Sequence, residues 1–574
     1  MVLRSNKPYF IFFVVLSVLT GILVYYFRWS GSEGQEWKSI IDGDGKGYYA
    51  YYDQIVFRKN FGTARPDNDH IIKIGDRSLI KYQCGTALLM APFFLSSALV
   101  SGFPDDPYAE AYQKSVSVAA IFYLLLGFVF LVLLLKKLKI KPPHILISLA
   151  LTLFSTNLLV YVVAQPDMSH VYSFSLISGF LWASHAYIIK PCRRWLIISA
   201  VFLGIIYLIR PVNIMILLFV LFFFDDFKSV RNFIQQHKKQ LLVFAVIVSL
   251  VMAIQNVLWY IQCRHFFLWS YQNEGFYWLH PEIFNVLFSF RKGLFIYTPI
   301  LIIVFWSLAV LLKTNKFRFF STLFFLIFIS YIISSWWCWT YFDSFGMRPF
   351  IDFYGIFVLL LALLLSNIGQ RVRTILLLSC IPLLALNLLQ SYQYNKRIIS
   401  AEYMNFESYK YIFFKTSLQY VDCIGGAHDL IPYNKFTQQL LFSTSDSQPA
   451  DEQDFGPGKE FSHAIYINNQ NELFHAKKMY AQITFKKWDY RPEGTPQALF
   501  VAAVSYQGHP NAFYKVFRLD YLPRATVNKW NEFSYTLILP KIEQPTFELK
   551  MYIWNRASET FKLKDLTIKI FKTG

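Results

Sequence analysis

Apolar residues in this chain come in long unbroken blocks, and the polar residues gather in the gaps between them. A helix needs roughly 20 apolar residues to cross a bilayer. Blocks approaching or reaching that length run over 8–27, 115–135, 143–163, 170–189, 195–209, 212–224, 239–261, 294–312, 318–336, 350–367 and 372–390. They predict a polytopic α-helical membrane protein of about eleven spans. The first block follows Arg4 and Lys7, and Arg28 and Trp29 come after it without a small-residue cleavage pattern, so it reads as a retained signal anchor.

Past residue 390 the pattern changes. Residues 391–460 read as a helical connector and linker, its last part rich in Ser, Asp, Gln, Pro and Gly. Beyond it the period falls to two: Met479, Ala481, Ile483 and Phe485 alternate with polar or aromatic neighbours, as do Phe547, Leu549, Met551 and Ile553. Further strand candidates at 463–468, 497–507, 511–520, 531–540 and 561–571 complete a predicted β-sandwich over 461–574.

Charge orders the spans. With the N-terminus cytoplasmic, the short basic loops all fall inside: Lys136 to Lys141, Lys190 to Arg194, Lys228 to Lys239, Lys313 to Arg318, and Arg371 with Arg373. The outward segments are then 28–114, 165–170, 210–213, 262–293 and 336–349, and these hold the unusual polar residues. The short apolar run 86–100 would invert this order if it spanned, so it reads as re-entrant or interfacial. The β-region falls on the same side as the polar segments.

Composition agrees. Of 574 residues 55% are hydrophobic, and the mean hydropathy is +0.36, too apolar for a soluble enzyme and fitting a lipid bilayer as partner. The net charge of +19 reflects cytoplasmic retention of Lys and Arg rather than nucleic-acid binding. Six cysteines without a C-x-x-C pair indicate neither a zinc site nor a disulfide framework.

The candidate chemistry begins at Asp42-Gly43-Asp44-Gly45-Lys46-Gly47-Tyr48. Glycines let the backbone turn tightly and present two carboxylates together. Such a pair can deprotonate a hydroxyl or hold a divalent metal such as Mg or Mn. Positions 42, 44, 47 and 53 also match the offsets of an EF-hand loop, although Lys46 takes a ligand position and Asp53 replaces the bidentate Glu; a plain acidic turn is the third reading. Cations on the same side are Arg210, Arg291, Lys292 and Arg348. Arg210 stands out because it ends an apolar run, where an arginine is expensive unless it has a functional partner. His170 and Glu274 can hydrogen-bond a phosphate or sugar, and each equally fits a helix-end polar residue. The aromatic stretch Trp336, Trp337, Trp339, Tyr341 and Phe342 suits sugar faces or a membrane-interface belt.

The stretch Gly43-Asp44-Gly45-Lys46-Gly47-Tyr48 resembles the Gly-Asp-Glu-x-x-Tyr motif in the first extracytoplasmic loop of the GT-C superfamily. This superfamily of integral-membrane glycosyltransferases includes protein O-mannosyltransferases and lipid A aminoarabinose transferases. The Gly, Asp and Tyr match, but Gly45 stands where the Glu would be. Lys81-Tyr82-Gln83-Cys84-Gly85-Thr86-Ala87-Leu88-Leu89 is similar to a Lys-Tyr-Pro-Pro-Gly-x-x-x-Leu stretch of related proteins. The resemblance implies a GT-C-like domain over 1–390 and, more loosely, a carbohydrate-binding jelly roll over 461–574. It implies inverting transfer of a sugar from a polyprenyl-phosphate donor to a glycan, lipid or protein acceptor on the extracytoplasmic face. Asp44 is then the catalytic base, with Asp42 standing in for the absent acid. Arg210, His170, Arg348, Arg291, Lys292, Glu274, Tyr48 and Lys81 bind substrate. Residue usage looks bacterial, implying an inner-membrane protein with its C-terminal domain in the periplasm. The rival readings are a lipid or glycan transporter, a polysaccharide-binding scaffold, and an acyltransferase using His185.

Overall fold

The computed structural model describes residues 2–30, 36–64, 70–272, 274–401, 404, 406–417, 420, 439–444, 452–468, 471–476, 479–490, 498–507, 509–519, 527–556 and 558–572. The chain divides into two compact units, Met1–Ser391 and Tyr392–Gly574.

Six helices among the described residues are long and apolar enough to cross a membrane: Asn6–Ser30, Glu110–Lys137, Lys238–Cys263, Lys316–Ser334, Arg348–Asn367 and Gln370–Asn395, the last turn of which passes the boundary between the units. The protein is therefore multi-pass. Each of the six overlaps an apolar block of the sequence.

The other five blocks form shorter, broken or more polar helices. The block 143–163 splits into Pro142–Phe154 and Leu158–Val163. The break falls at Ser155-Thr156-Asn157, where the Asn157 amide donates to the Phe345 carbonyl (2.9 Å) and accepts from the Tyr354 hydroxyl (2.6 Å). A buried amide needs such partners, and they hold the chain in a turn. The block 294–312 breaks at Thr298-Pro299 into Leu294–Tyr297 and Ile300–Thr314. Pro211 opens an irregular series of short turns over 211–223 in place of a single helix. Ser169–Ile189 is regular, but buried Ser173, Ser175, Ser178, Ser184 and His185 lower its apolarity. The block 195–209 forms Arg193–Ile209, whose 17 residues rise only about 25 Å, short of the hydrocarbon thickness; Gly85–Ser101, outside the eleven blocks, has the same length.

The segment after the first span folds into the helix Asp44–Tyr52 and a hairpin of β1 (Ile71–Ile74) and β2 (Arg77–Ile80). A helix through Asp44–Tyr52 excludes an EF-hand loop there, because the ligands of such a loop need a non-helical turn; Asp53 pairs instead with Arg58 (2.9 Å).

The second unit holds β3 (Gln439–Ser443), β4 (Gln453–Phe455), β5 (Ile465–Asn468), β6 (Met479–Asp489), β7 (Ala498–Tyr506), β8 (His509–Arg518), β9 (Trp530–Leu539), β10 (Phe547–Asn555) and β11 (Phe561–Lys572). They form two antiparallel sheets, ordered β5-β10-β7-β8 and β3-β11-β6-β9, with β4 also paired to β11. The inward positions read from the period-two pattern, Met479, Ala481, Ile483, Phe485, Phe547, Leu549, Met551 and Ile553, lie in one buried cluster fed by both sheets. β3 and β4 fall within the segment expected to be connector and linker, and both pair with the closing strand β11.

Candidate functional site

Asp44 opens its helix, where unpaired amides and the helix dipole favour a carboxylate. The turn into it requires Gly43, whose φ of 48° places it in a region that side chains disfavour. Two buried groups hold the approach to this turn. Gln113 accepts from the Ile41 amide (2.8 Å) and donates to the Lys38 carbonyl (2.9 Å). Asp167 accepts from the Asp42 amide (2.9 Å). The Asp167 carboxylate lies where a side chain on residue 45 would project, so only glycine fits there. The carboxylate beside Gly45 is thus supplied by Asp167, which the sequence reading did not single out. Burial pushes the Asp167 carboxyl up to about 7 against that hydrogen bond and the charge of Arg28.

Asp44 is held between two donors. Tyr82 donates to Oδ1 (2.7 Å) and Arg348 Nη2 donates to Oδ2 (2.7 Å). Burial opposes ionisation of Asp44, but Arg348, Tyr82 and His70 outweigh it and hold the carboxyl below the usual range. The Asp44 side chain keeps 26% of its surface open. Asp42 differs: its side chain is 64% exposed and pairs with Lys46 one helical turn on. It does not reach the cavity lined by Asp44.

A second carboxylate, Asp352, is fully enclosed. It accepts from His170 Nδ1 (2.8 Å), Arg210 Nη1 (3.2 Å) and Asn213 Nδ2 (2.7 Å). Sequence reasoning picked His170 and Arg210 but missed the acid that joins them. A signal existed: Asp352 lies inside the apolar block 350–367, where a carboxylate is costly without a partner.

One cavity of about 590 Å³ gathers Asp44, Tyr48, Lys81, His170, Arg210, Glu274 and Arg348. That volume falls within the roughly 300–1,000 Å³ of small-molecule sites. Lys81 pairs with Glu274 (2.6 Å), and the Tyr48 hydroxyl, raised to about 12 chiefly by burial, donates to Ser169 (3.2 Å). Met215, Met252, Ile332, Ile333 and Phe353 form apolar wall, while Tyr271, Trp336 and Tyr341 present rings. Trp337 and Trp339 lie outside this wall, as do Arg291 and Lys292. The Lys292 ammonium is buried and donates to the Ser344 carbonyl (2.6 Å), a structural bond. Among the described residues no three His, Cys, Asp or Glu side chains cluster to hold a metal. Asp42 turns to Lys46, and Asp44 to Arg348 and Tyr82.

The cavity residues share a position in the fold. Helix Ser169–Ile189 carries His170 at its start, with Lys190 just past its end; helix Arg193–Ile209 carries its arginines at the start, with Arg210 just past its end. Helices Lys238–Cys263 and Lys316–Ser334 begin with basic residues and line the cavity near their far ends, through Trp259, Ile332 and Ile333. Glu110–Lys137 ends in Lys136 and Lys137, and its other end holds the Asp42 turn through Gln113. In these five helices the end with the basic cluster lies opposite the end at the cavity.

Fold and site together define a multi-pass helical membrane protein with an ion-paired cavity at the helix ends remote from its basic loops. No family model matches the chain, and no curated protein sequence matches it. Among solved structures it is similar to arabinosyltransferase EmbB from Mycobacterium smegmatis, at 8% identity and a TM-score of 0.37, over 97% of this chain and 64% of that one. The chain therefore spans less than two thirds of the length of that arabinosyltransferase.

Proposed function

We propose that this protein is an inverting membrane glycosyltransferase of the GT-C type. It transfers a sugar from a polyprenyl-phosphate donor to a hydroxyl of a glycan, lipid or protein acceptor on the extracytoplasmic face. The observation that carries this reading is the meeting of the acidic-loop residue Asp44 with Arg348, Arg210 and His170 in one cavity with apolar and aromatic walls. An anionic lipid-linked sugar asks for these features together: fixed cations for the phosphate, apolar surface for the hydrocarbon and rings for the sugar. The opposition of basic and cavity ends supports the extracytoplasmic side; a bacterial inner membrane with the cavity facing the periplasm is part of the same proposal.

In this mechanism Asp44 takes the proton of the attacking hydroxyl, and Arg210 and Arg348 stabilise the charge developing on the departing phosphate. His170, Tyr48, Lys81 and Glu274 orient donor and acceptor. No step runs through a metal. The two-sheet unit resembles carbohydrate-binding jelly rolls and serves in this reading to hold a glycan acceptor.

The test is transfer of labelled sugar from a panel of polyprenyl-phosphate donors in membranes with the wild type or Asp44→Asn at matched folded levels. General-base removal lowers the rate by about 10²–10⁴-fold. Equal transfer by both proteins removes Asp44 as the base. No transfer by the wild type from any donor to a broad acceptor panel refutes the glycosyltransferase reading.

A further inference from the structure

Three cations line the cavity, and each is paired with a carboxylate: Arg348 with Asp44, Arg210 with Asp352, and Lys81 with Glu274. These charges cancel. An entering phosphodiester gains most from a cation that can turn from its present partner, and the three pairs differ in how readily they release one.

Asp352 is fully enclosed and gripped by three donors, so it has no other conformation to offer and keeps Arg210. Lys81 has its carboxylate and also sits against the rings of Tyr82 and Tyr271 (5.9 and 5.4 Å). Arg348 is the cavity cation with a buried donor left unmet. A guanidinium has five N–H donors, yet among the described residues Nη2 alone reaches an oxygen. Nη1 meets the Met168 sulfur (3.2 Å), and the buried Nε has no hydrogen-bond partner. Its side chain is only 7% exposed. An under-coordinated, enclosed guanidinium on a cavity wall fits two oxygens of a phosphate, which its planar fork binds in parallel.

Resting on the glycosyl-transfer reading, we propose that the Asp44–Arg348 pair is a latch opened by the donor: the lipid-linked phosphodiester takes the Arg348 fork, and Asp44 Oδ2, so vacated, accepts the acceptor's proton. Tyr82 makes this workable, because its bond to Oδ1 keeps the carboxylate aimed after Arg348 has turned away. While paired, Asp44 is a poor base, since both its oxygens accept from fixed donors. The base becomes competent only when the phosphate is present. In the step itself the acceptor oxygen bonds to the anomeric carbon and the bond from that carbon to the phosphate oxygen breaks, its electron pair staying on the oxygen. The phosphate passes from one negative charge to two, and the hydroxyl proton passes to Asp44, which becomes neutral. Arg348 then faces the more highly charged product, while Asp44 recovers its charge by losing the proton to water.

The experiment measures binding of polyprenyl monophosphate to the full-length protein in nanodiscs, read from the fluorescence of the cavity tryptophans, beside sugar transfer by the same preparations. Asp44→Asn has no ion pair to break. It is expected to bind the lipid phosphate at least tenfold more tightly than the wild type, equivalent to about 1.4 kcal/mol, while losing transfer. Arg348→Lys keeps the charge but not the fork, and is expected to bind at least tenfold more weakly. Glu274→Gln removes a different carboxylate from the same cavity and measures the general gain from lost repulsion. The latch requires the gain from Asp44→Asn to exceed it by about fivefold. Equal gains from Asp44→Asn and Glu274→Gln, or no gain from Asp44→Asn, overturn the latch while wild-type transfer keeps the glycosyltransferase reading standing. A wild type that neither binds the lipid phosphate nor transfers sugar overturns both.

Discussion

Asp352 offers the sharpest test of how this cavity is built. Replacing it by Ala removes a fully enclosed carboxylate and strands the groups that donate to it, His170, Arg210 and Asn213. Deleting one partner of a buried ion pair costs about 3–5 kcal/mol, because the remaining charge keeps its desolvation penalty and loses its counter-ion. Arg210 retains 23% of its side-chain surface, so cavity water offsets part of the loss and places the expected cost near the lower figure, about 3 kcal/mol. The exposed Asp42–Lys46 pair is the internal comparison. Its separation is shorter, 2.5 Å against 3.2 Å, yet both side chains are largely in solvent and a surface helical pair of this kind is worth about 0.3–0.5 kcal/mol. Unfolding in mixed micelles, followed by tryptophan fluorescence and compared through midpoints, ranks the two variants. A double change, Asp352→Leu with Arg210→Met, removes both charges and is expected to recover most of the loss. If Asp352→Ala costs no more than Asp42→Ala, then burial does not govern these pairs and the fixed role given to Asp352 is wrong.

Three further outcomes are expected. Asp167, with its carboxyl at about 7 in the fold and an ordinary value near 4 when unfolded, binds more protons folded than unfolded between those pH values. Its contribution is therefore fully present below about pH 4 and is lost as pH rises to about 7, by up to roughly 4 kcal/mol. Asp167→Asn keeps an acceptor for the Asp42 amide and is expected to flatten that decline in a pH series of unfolding midpoints; an unchanged slope would refute the assignment. Gly43→Ala forces a side chain into a positive-φ turn and is expected to cost about 1–3 kcal/mol, with sugar transfer falling as Asp44 is displaced; wild-type values in both assays count against a conformational need for glycine. Lys292→Met breaks a buried structural bond and is expected to lower stability by about 2 kcal/mol with lipid-phosphate affinity unchanged, whereas Lys81→Met weakens that affinity; weakened binding by Lys292→Met would return Lys292 to the site.

How much of this was legible in the sequence depended on whether the information was local. The apolar blocks mark the helices because the requirement for roughly 20 apolar residues acts on contiguous sequence. The acidic turn is legible for the same reason, its glycines standing next to the acids they serve. Helix breaks were less visible: hydropathy averages over Ser155-Thr156-Asn157, whereas the chain turns there because Asn157 finds Phe345 and Tyr354, both remote in sequence. The pairings inside the cavity are more distant still, Asp352 meeting His170 from 182 residues away. The acidic partner of Asp44 illustrates the limit. Nearness in sequence pointed to Asp42, two residues before it, but those two residues carry its side chain out toward Lys46 and solvent. Asp167, which follows a different helix, fills the space that Gly45 leaves and holds the turn from beneath. Residue type and spacing could nominate arginines, a histidine and acids facing one side of the membrane. Which acid neutralises which cation is a property of the packed helices, and on the latch proposed above that choice separates a resting cavity from a reactive one.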